Sequence, residues 1–497
     1  MSAYRSLVQQ FDRLDKLAHA STFLGWDQQV MMPPGGAEAR AQALAELHQI
    51  RHELLTAEQM GAWFEEALQE GETAEQQANL REMHRIWQQA TCLPADLVQA
   101  QSLAASRCEH AWRVQRGEND WQGFLGNFKE LVRLTREEAK ARQAAEPDRF
   151  ATPYDALLDL YSSGDCSASI AQVFDGLKAQ LPSLIDEVID RQRRAPHIDL
   201  SGHYDIGVQQ QLSRRVMEVL GFDFGRGRLD ISSHPFSTGV RGDHRITTRY
   251  KEHDFIEALM GTVHETGHAS YEAGLPEAWS GQPVGDARSM SIHESQSLLF
   301  EKQLLLSKPF VQFLTPLIHQ HFPSLKDVDS DQFWQAMARV NRGFIRVEAD
   351  EVTYPMHIVL RYEIESALIN GEMEAEDIPD AWAEKMKAYL GLNTHGNYKD
   401  GCLQDIHWPS GAFGYFPSYT LGALNAAQLF AALRRDIPAL DIQLRAGDVT
   451  QLRQWLGERI WSKGSFLSSE ELITQATGEP TNPEHFIRHI RNRYLDK

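Results

Sequence analysis

Phe255-Ile256-Glu257-Ala258-Leu259-Met260-Gly261-Thr262-Val263-His264-Glu265-Thr266-Gly267-His268 is the stretch from which the fold is read. Its apolar residues recur at three- and four-residue steps, the period of a helix with a broad apolar face. Such a helix belongs in a core, where two histidines and a glutamate are costly unless paired or bound to a metal. His264 and His268 stand four apart and share a face, from which both imidazoles reach one ion. Glu265 lies one step round and can hold a water at that ion. The pattern is moderately specific: with 20 histidines in the chain, random order gives it in about one such sequence in twenty. A pair of helix-surface histidines is the bland alternative, and the apolar neighbours argue against it. Gly267 is a poor helix former and leaves room for another segment or for substrate.

Outward from this stretch, the helical period dominates. Leu7, Phe11, Leu14, Leu17 and Ala18 mark a first helix, Met32-Pro33-Pro34-Gly35-Gly36 breaks it, and a second runs from about Ala37 to Leu55. Helical patterns continue over 76–145, 168–220, 253–274, 291–320, 331–369 and 376–392. One segment differs. Gly239 to Tyr250 has glycines and then β-branched residues, reading as a turn and a short strand. With no linker and no repeat, the expectation is one mainly α domain over 1–497: two helical lobes flanking a cleft, with a small sheet beside it.

The 497 residues carry 49 Lys+Arg against 69 Asp+Glu, a net charge of −20. That balance argues against nucleic acid and anionic membranes as partners. Cys92, Cys108, Cys166 and Cys402 stand too far apart for a thiolate metal site and suggest a reducing compartment. No apolar run approaches a membrane span, so the chain reads as soluble and cytoplasmic.

A catalytic metal needs a third protein ligand and an open position. Glu294, in Ser291-Ile292-His293-Glu294-Ser295-Gln296, follows His268 by 26 positions, enough for a loop and a return helix, with Gly281, Pro283 and Gly285 in the turn. His293 is an alternative ligand or a supporting group. Two histidines and a glutamate form the set used by peptide-hydrolysing zinc enzymes.

Further motifs accumulate: His234-Pro235-Phe236, Asp243-His244-Arg245-Ile246-Thr247, Ile345-Arg346-Val347-Glu348-Ala349-Asp350, and Gly401-Cys402-Leu403-Gln404-Asp405-Ile406-His407-Trp408. With H-E-T-G-H and H-E-S-Q, the set resembles the carboxypeptidase Taq family of zinc metallocarboxypeptidases, whose six patterns stand here in order over 234–408. Trp26-Asp27, Met32-Pro33 and Pro153 to Asp159 also look like that family. The resemblance implies a fold similar to neurolysin and angiotensin-converting enzyme, with a deep groove. It implies a cytoplasmic homodimer that trims C-terminal residues from peptides with broad specificity, disfavouring a terminal proline. Carried onto this sequence, it implies one Zn²⁺ per chain, replaceable by Co²⁺, on His264, His268 and Glu294, with Glu265 as proton carrier. His407 and Tyr419 would stabilise the oxyanion, with Tyr415 the alternative tyrosine.

A carboxypeptidase must also grip a free carboxylate, and the planar fork of arginine suits it best. Arg346 is the first candidate, on the I-R-x-x-A-D match; Arg245 and Arg241 follow. The bland reading pairs Arg346 with Glu348 or Asp350. Gln404 and Asp405 are expected to orient a ligand histidine or His407. The rivals are an endo-oligopeptidase with the same chemistry, an aminopeptidase (no G-x-M-E-N motif is present) and a non-catalytic zinc-stabilised scaffold.

Overall fold

The computed structural model describes residues 2–70, 73–196 and 198–496. The chain is mainly helical, with one three-stranded sheet among the described residues. Two large apolar cores carry it. One gathers side chains from 104–190, 338–427 and the last helix; the other gathers 204–333 and 426–476. A third, smaller core joins the first helix, Ala3–Val30, to Glu58–Ala67 and Ala74–Thr91. The helix Pro417–Asp436 belongs to both large cores: Leu421, Leu424 and Ala427 face one, and Leu429, Phe430 and Leu433 the other. It is the spine of the molecule, and the sequence patterns did not single it out.

The motif helix runs Phe255–Ala273, with the Asp254 carboxylate capping the backbone N–H groups of Ile256 and Glu257. The return helix Met290–Leu298 is capped by Ser289 and passes into a π-helix over Leu299–Leu305. Such wide turns are rare and lie frequently at functional sites.

Glycine sets how closely these helices approach. A Cβ on Gly267 would stand 2.5 Å from the Gln296 carbonyl oxygen and 2.6 Å from Ser297 Cα. A Cβ on Gly422, in the spine, would stand 2.7 Å from Glu294 Cβ and Cγ. The return helix is therefore pressed between two bare backbones.

The small sheet expected around the turn and strand of 239–250 is present and has three strands. β1 (Gly227–Ile231) lies parallel to β3 (Asp243–Thr248), and β2 (Phe236–Val240) lies antiparallel on its other side. Arg241-Gly242 makes the β2–β3 turn, with Gly242 at φ +84°. β1 and β2 are short and only partly buried, so they lack the apolar alternation that reveals a strand.

The helical reading of 331–369 is corrected in its middle. Helix Ser330–Met337 stops, and regular helix resumes only at Tyr354–Asn370. Between them side chains take the backbone's hydrogen bonds. Asp350 accepts from the amides of Asn341, Val352 and Thr353, and Gln404 accepts from that of Arg346.

We expect Gly267→Ala and Gly422→Ala each to destabilise the protein by about 1–3 kcal/mol, because overpacking must push two helices apart. Denaturant titration of each variant checks this. An unfolding midpoint equal to wild type for Gly422→Ala would show that the spine yields more easily than its packing implies.

Candidate metal centre

The motif and return helices bring His264, His268 and Glu294 together, with one ligand atom from each within 4.8 Å of the others. The imidazole planes stand at 79° with centroids 5.0 Å apart. Nε2 of His264 lies 3.9 Å from one Glu294 oxygen, and Nε2 of His268 lies 3.5 Å from the other. The opposite nitrogens are engaged away from this point. His264 Nδ1 meets Glu301 at 2.8 Å, and His268 Nδ1 meets His293 Nδ1 at 2.6 Å. Both Nε2 atoms thus converge on one carboxylate, and nitrogen, nitrogen and oxygen suit Zn²⁺. His293 is turned toward His268 and Glu272.

Among the protein's own groups the field is strong. Burial pushes the Glu265 carboxyl up to about 7; Glu294 and Glu301 add to the rise and His264 opposes it. Burial, with Glu301, also raises Glu294. Burial alone would lower His264, but Glu294 and Glu301 overcome it and carry the imidazole to about 9. Burial and two neighbouring histidines push His268 well down. Three carboxyls packed around two imidazoles form a place where a divalent cation is electrostatically welcome.

A wall of aromatic rings closes one side. His407 Nε2 lies 3.3 Å from the Tyr419 hydroxyl, and the Tyr415 ring sits 5.2 Å from that of Tyr419. Burial and neighbouring phenols hold the Tyr419 hydroxyl well above its ordinary range, and burial and Glu294 raise Tyr415, so both keep the proton they donate. Burial, with Arg346, lowers His407 to about 4, so its ring is neutral at pH 7.

The three arginines fare differently. Arg346 is 6% exposed, and its fork is in use. Nε and Nη2 meet one Asp405 oxygen at 2.9 and 2.8 Å, and Nη1 donates to the Tyr354 hydroxyl at 3.0 Å. Its partner is neither Glu348 nor Asp350. Arg361 holds the other Asp405 oxygen, so the two cations keep that carboxyl far below its ordinary range despite burial. Asp405 and Gln404 hydrogen-bond to no histidine among the described residues; they fasten the Arg346 segment instead. Arg346 still lies at the site, its guanidinium carbon 5.1 Å from the Tyr419 ring centroid. Arg245 is bound by both Asp243 oxygens and lies over the Phe23 and Trp26 rings, clasping the first helix to β3. Arg241, at the exposed hairpin turn, donates to the Leu275 carbonyl.

The sequence reading missed Glu301, Glu272 and Tyr354. A signal existed for Glu272, which stands four residues beyond His268 and so on the same helix face. Glu301 is presented by the π-helix, which no simple periodicity reveals.

A helical protein that brings two histidines, a glutamate and a neighbouring carboxyl together belongs to the class of metal-dependent hydrolases. More particularly, the chain belongs to the carboxypeptidase Taq (M32) metallopeptidase family, whose model matches residues 6–494. It is 36% identical to thermostable carboxypeptidase 1 of Thermus thermophilus, covering 99% of this chain and 98% of that one. It is 34% identical to carboxypeptidase 1 of Bacillus subtilis, covering 97% of each. Metallocarboxypeptidase 1 of Trypanosoma cruzi superimposes with a TM-score of 0.97 at 41% identity, over 99% of both chains.

The loop that carries His407 is anchored from below. Glu365 accepts from Trp408 Nε1 at 3.0 Å, from the Tyr154 hydroxyl at 2.5 Å and from the Gly414 amide at 3.3 Å. Burial raises its carboxyl from 4.5 to about 7. A carboxyl raised on folding favours the folded state fully below about pH 4.5, and the benefit is lost as pH rises through about 7. Glu365→Gln removes this titration while keeping an acceptor. We therefore expect the variant to gain stability relative to wild type between pH 5 and pH 8, by at most roughly 3 kcal/mol. A wild-type-minus-variant difference that stays flat across those pH values would contradict it.

Proposed function

We propose that this chain is a zinc-dependent metallocarboxypeptidase that releases C-terminal amino acids from peptides with broad specificity. The observation that carries the reading is the convergence of the two Nε2 atoms on Glu294, whose charge also reaches Glu265 and Tyr419. Zinc held by His264, His268 and Glu294 would act as a Lewis acid on the scissile carbonyl and would acidify water. Glu265 takes the proton of the attacking water and returns it to the departing amine. Tyr419 donates to the developing oxyanion, and His407, neutral and 3.3 Å from its hydroxyl, holds it in place. Tyr415 flanks the substrate. The net charge of −20 supports peptides rather than nucleic acid or anionic membranes as partners, the four free thiols suit a reducing cytoplasm, and a homodimer is what the family resemblance implies. Cobalt is expected to replace zinc, since nitrogen and oxygen ligands suit both.

For the free carboxylate, Arg346 supplies positive charge beside Tyr419 through a guanidinium fixed by Asp405. Arg241, exposed at the hairpin turn, is a second candidate, and Arg245 a third whose fork Asp243 already fills.

Replacing His264, His268 or Glu294 by Ala is expected to remove metal and activity together. Glu265→Gln is expected to retain metal while kcat falls about 10²–10⁴-fold. Metal analysis and steady-state kinetics on the same preparations decide. Activity within a few-fold of wild type for Glu265→Gln would remove it from the mechanism.

Direction of cleavage is read by comparing a peptide acid with its amide. A charge-assisted clamp is worth roughly 1.5–3 kcal/mol, so amidation should lower kcat/KM by about 10- to 200-fold. The arginine that grips the carboxylate is the one whose Ala variant no longer distinguishes the two peptides. Equal cleavage of acid and amide by wild type would leave an endopeptidase of the same chemistry.

A further inference from the structure

The two metal-facing histidines are held from behind by different devices. His264 Nδ1 meets the Glu301 carboxylate directly, at 2.8 Å. His268 Nδ1 meets no carboxylate. It meets another imidazole, His293 Nδ1, at 2.6 Å, and His293 Nε2 meets Glu272 at 2.8 Å. The rings of His268 and His293 stand 4.7 Å apart, and Tyr271 packs edge-on against His293 at 5.3 Å.

For a neutral His293, hydrogen-bond chemistry assigns every proton in this series. A carboxylate only accepts, so His293 Nε2 carries a proton and donates it to Glu272. A neutral imidazole protonated on Nε2 has its lone pair on Nδ1, so His293 Nδ1 accepts. The donor facing it is therefore His268 Nδ1–H. With the proton on Nδ1, the lone pair of His268 lies on Nε2, the atom directed at Glu294.

We infer that His293 and Glu272 are positioning residues for metal binding: Glu272 sets the tautomer of His293, and His293 sets that of His268, so that His268 presents its Nε2 lone pair to the metal. Outer partners of ligand histidines commonly fix tautomer and ring orientation in this way. Here the carboxylate acts at one remove, and the intermediate histidine adjoins Glu294 in sequence. One short stretch of the return helix therefore supplies a ligand and the group that orients another. The inference rests on the metal-site reading above, which the experiment tests separately.

The test measures zinc affinity by competition with a chromophoric chelator, on metal-free wild type and on Glu272→Ala, Glu272→Gln, His293→Phe and the double variant Glu272→Ala/His293→Phe. His268→Ala serves as control. The Glu272 side chain is 43% exposed, so its truncation leaves the packing in place. Glu272→Ala and His293→Phe should each weaken zinc binding about 10- to 100-fold. The double variant should be no weaker than His293→Phe, because the two groups act in series. Glu272→Gln should recover most of the affinity, since its amide oxygen accepts the same N–H. A merely structural role would show instead as a lowered unfolding midpoint of the metal-free protein, with no rescue by Gln. Tight binding by wild type with equal affinity in Glu272→Ala and His293→Phe, or losses that add in the double variant, would overturn the relay. Equal binding by wild type and His268→Ala would overturn the metal-site reading itself.

Discussion

The motif helix can lie against the return helix because Gly267 presents no side chain to Gln296 and Ser297. The spine helix closes from the other side because Gly422 presents none to Glu294. Everything at the centre follows from this spacing. With the return helix held at backbone contact, the Glu294 carboxylate falls between two imidazoles from another helix. Had either glycine carried a Cβ, the three helices would have parted and the ligand atoms with them. Close packing of this kind transmits a single methyl group over several side chains, because protein interiors are nearly void-free.

A second constraint is electrostatic. The chain carries a net charge of −20, yet its central region buries Arg346 and Arg361 on either side of Asp405. Breaking such a pair by removing one partner typically costs about 3–5 kcal/mol, because the remaining charge stays buried. The arrangement therefore fixes the loop of His407 and the segment of Arg346 relative to each other. It places positive charge behind Tyr419 and Tyr354 while leaving the acids around His264 and His268 to face a cation. Segregated in this way, the two sets of charges do not neutralise each other.

The metal motif was legible because helical spacing converts sequence distance directly into a shared face, and Glu294 because a turn of glycines and proline allowed one return helix. The sheet was half legible: β3 alternates and is buried, whereas β1 and β2 are short and lie partly in solvent. The segment 338–353 misled because its residue types suit a helix, while its backbone hydrogen bonds go to Asp350 and Gln404, which pattern alone does not announce. Arginine roles were the least legible. A guanidinium reads the same whether it is free or already held, and the holder of Arg346 lies 59 positions away in the chain.

The π-helix over Leu299–Leu305 has a geometric meaning of its own. A wide turn accommodates one residue more than an α-helix of the same height. Delete one residue of the segment and the wide turn closes to an ordinary one, with the helix on either side keeping its face. Glu301 and Lys302 lie inside the wide turn, so closing it would re-aim the carboxylate that meets His264 and the ion pair beside it. The aim of that carboxylate is thus a matter of counting: one extra residue, inserted without any change of chemistry, is absorbed in a single widened turn, which re-aims Glu301 while the helix that carries Glu294 keeps its register.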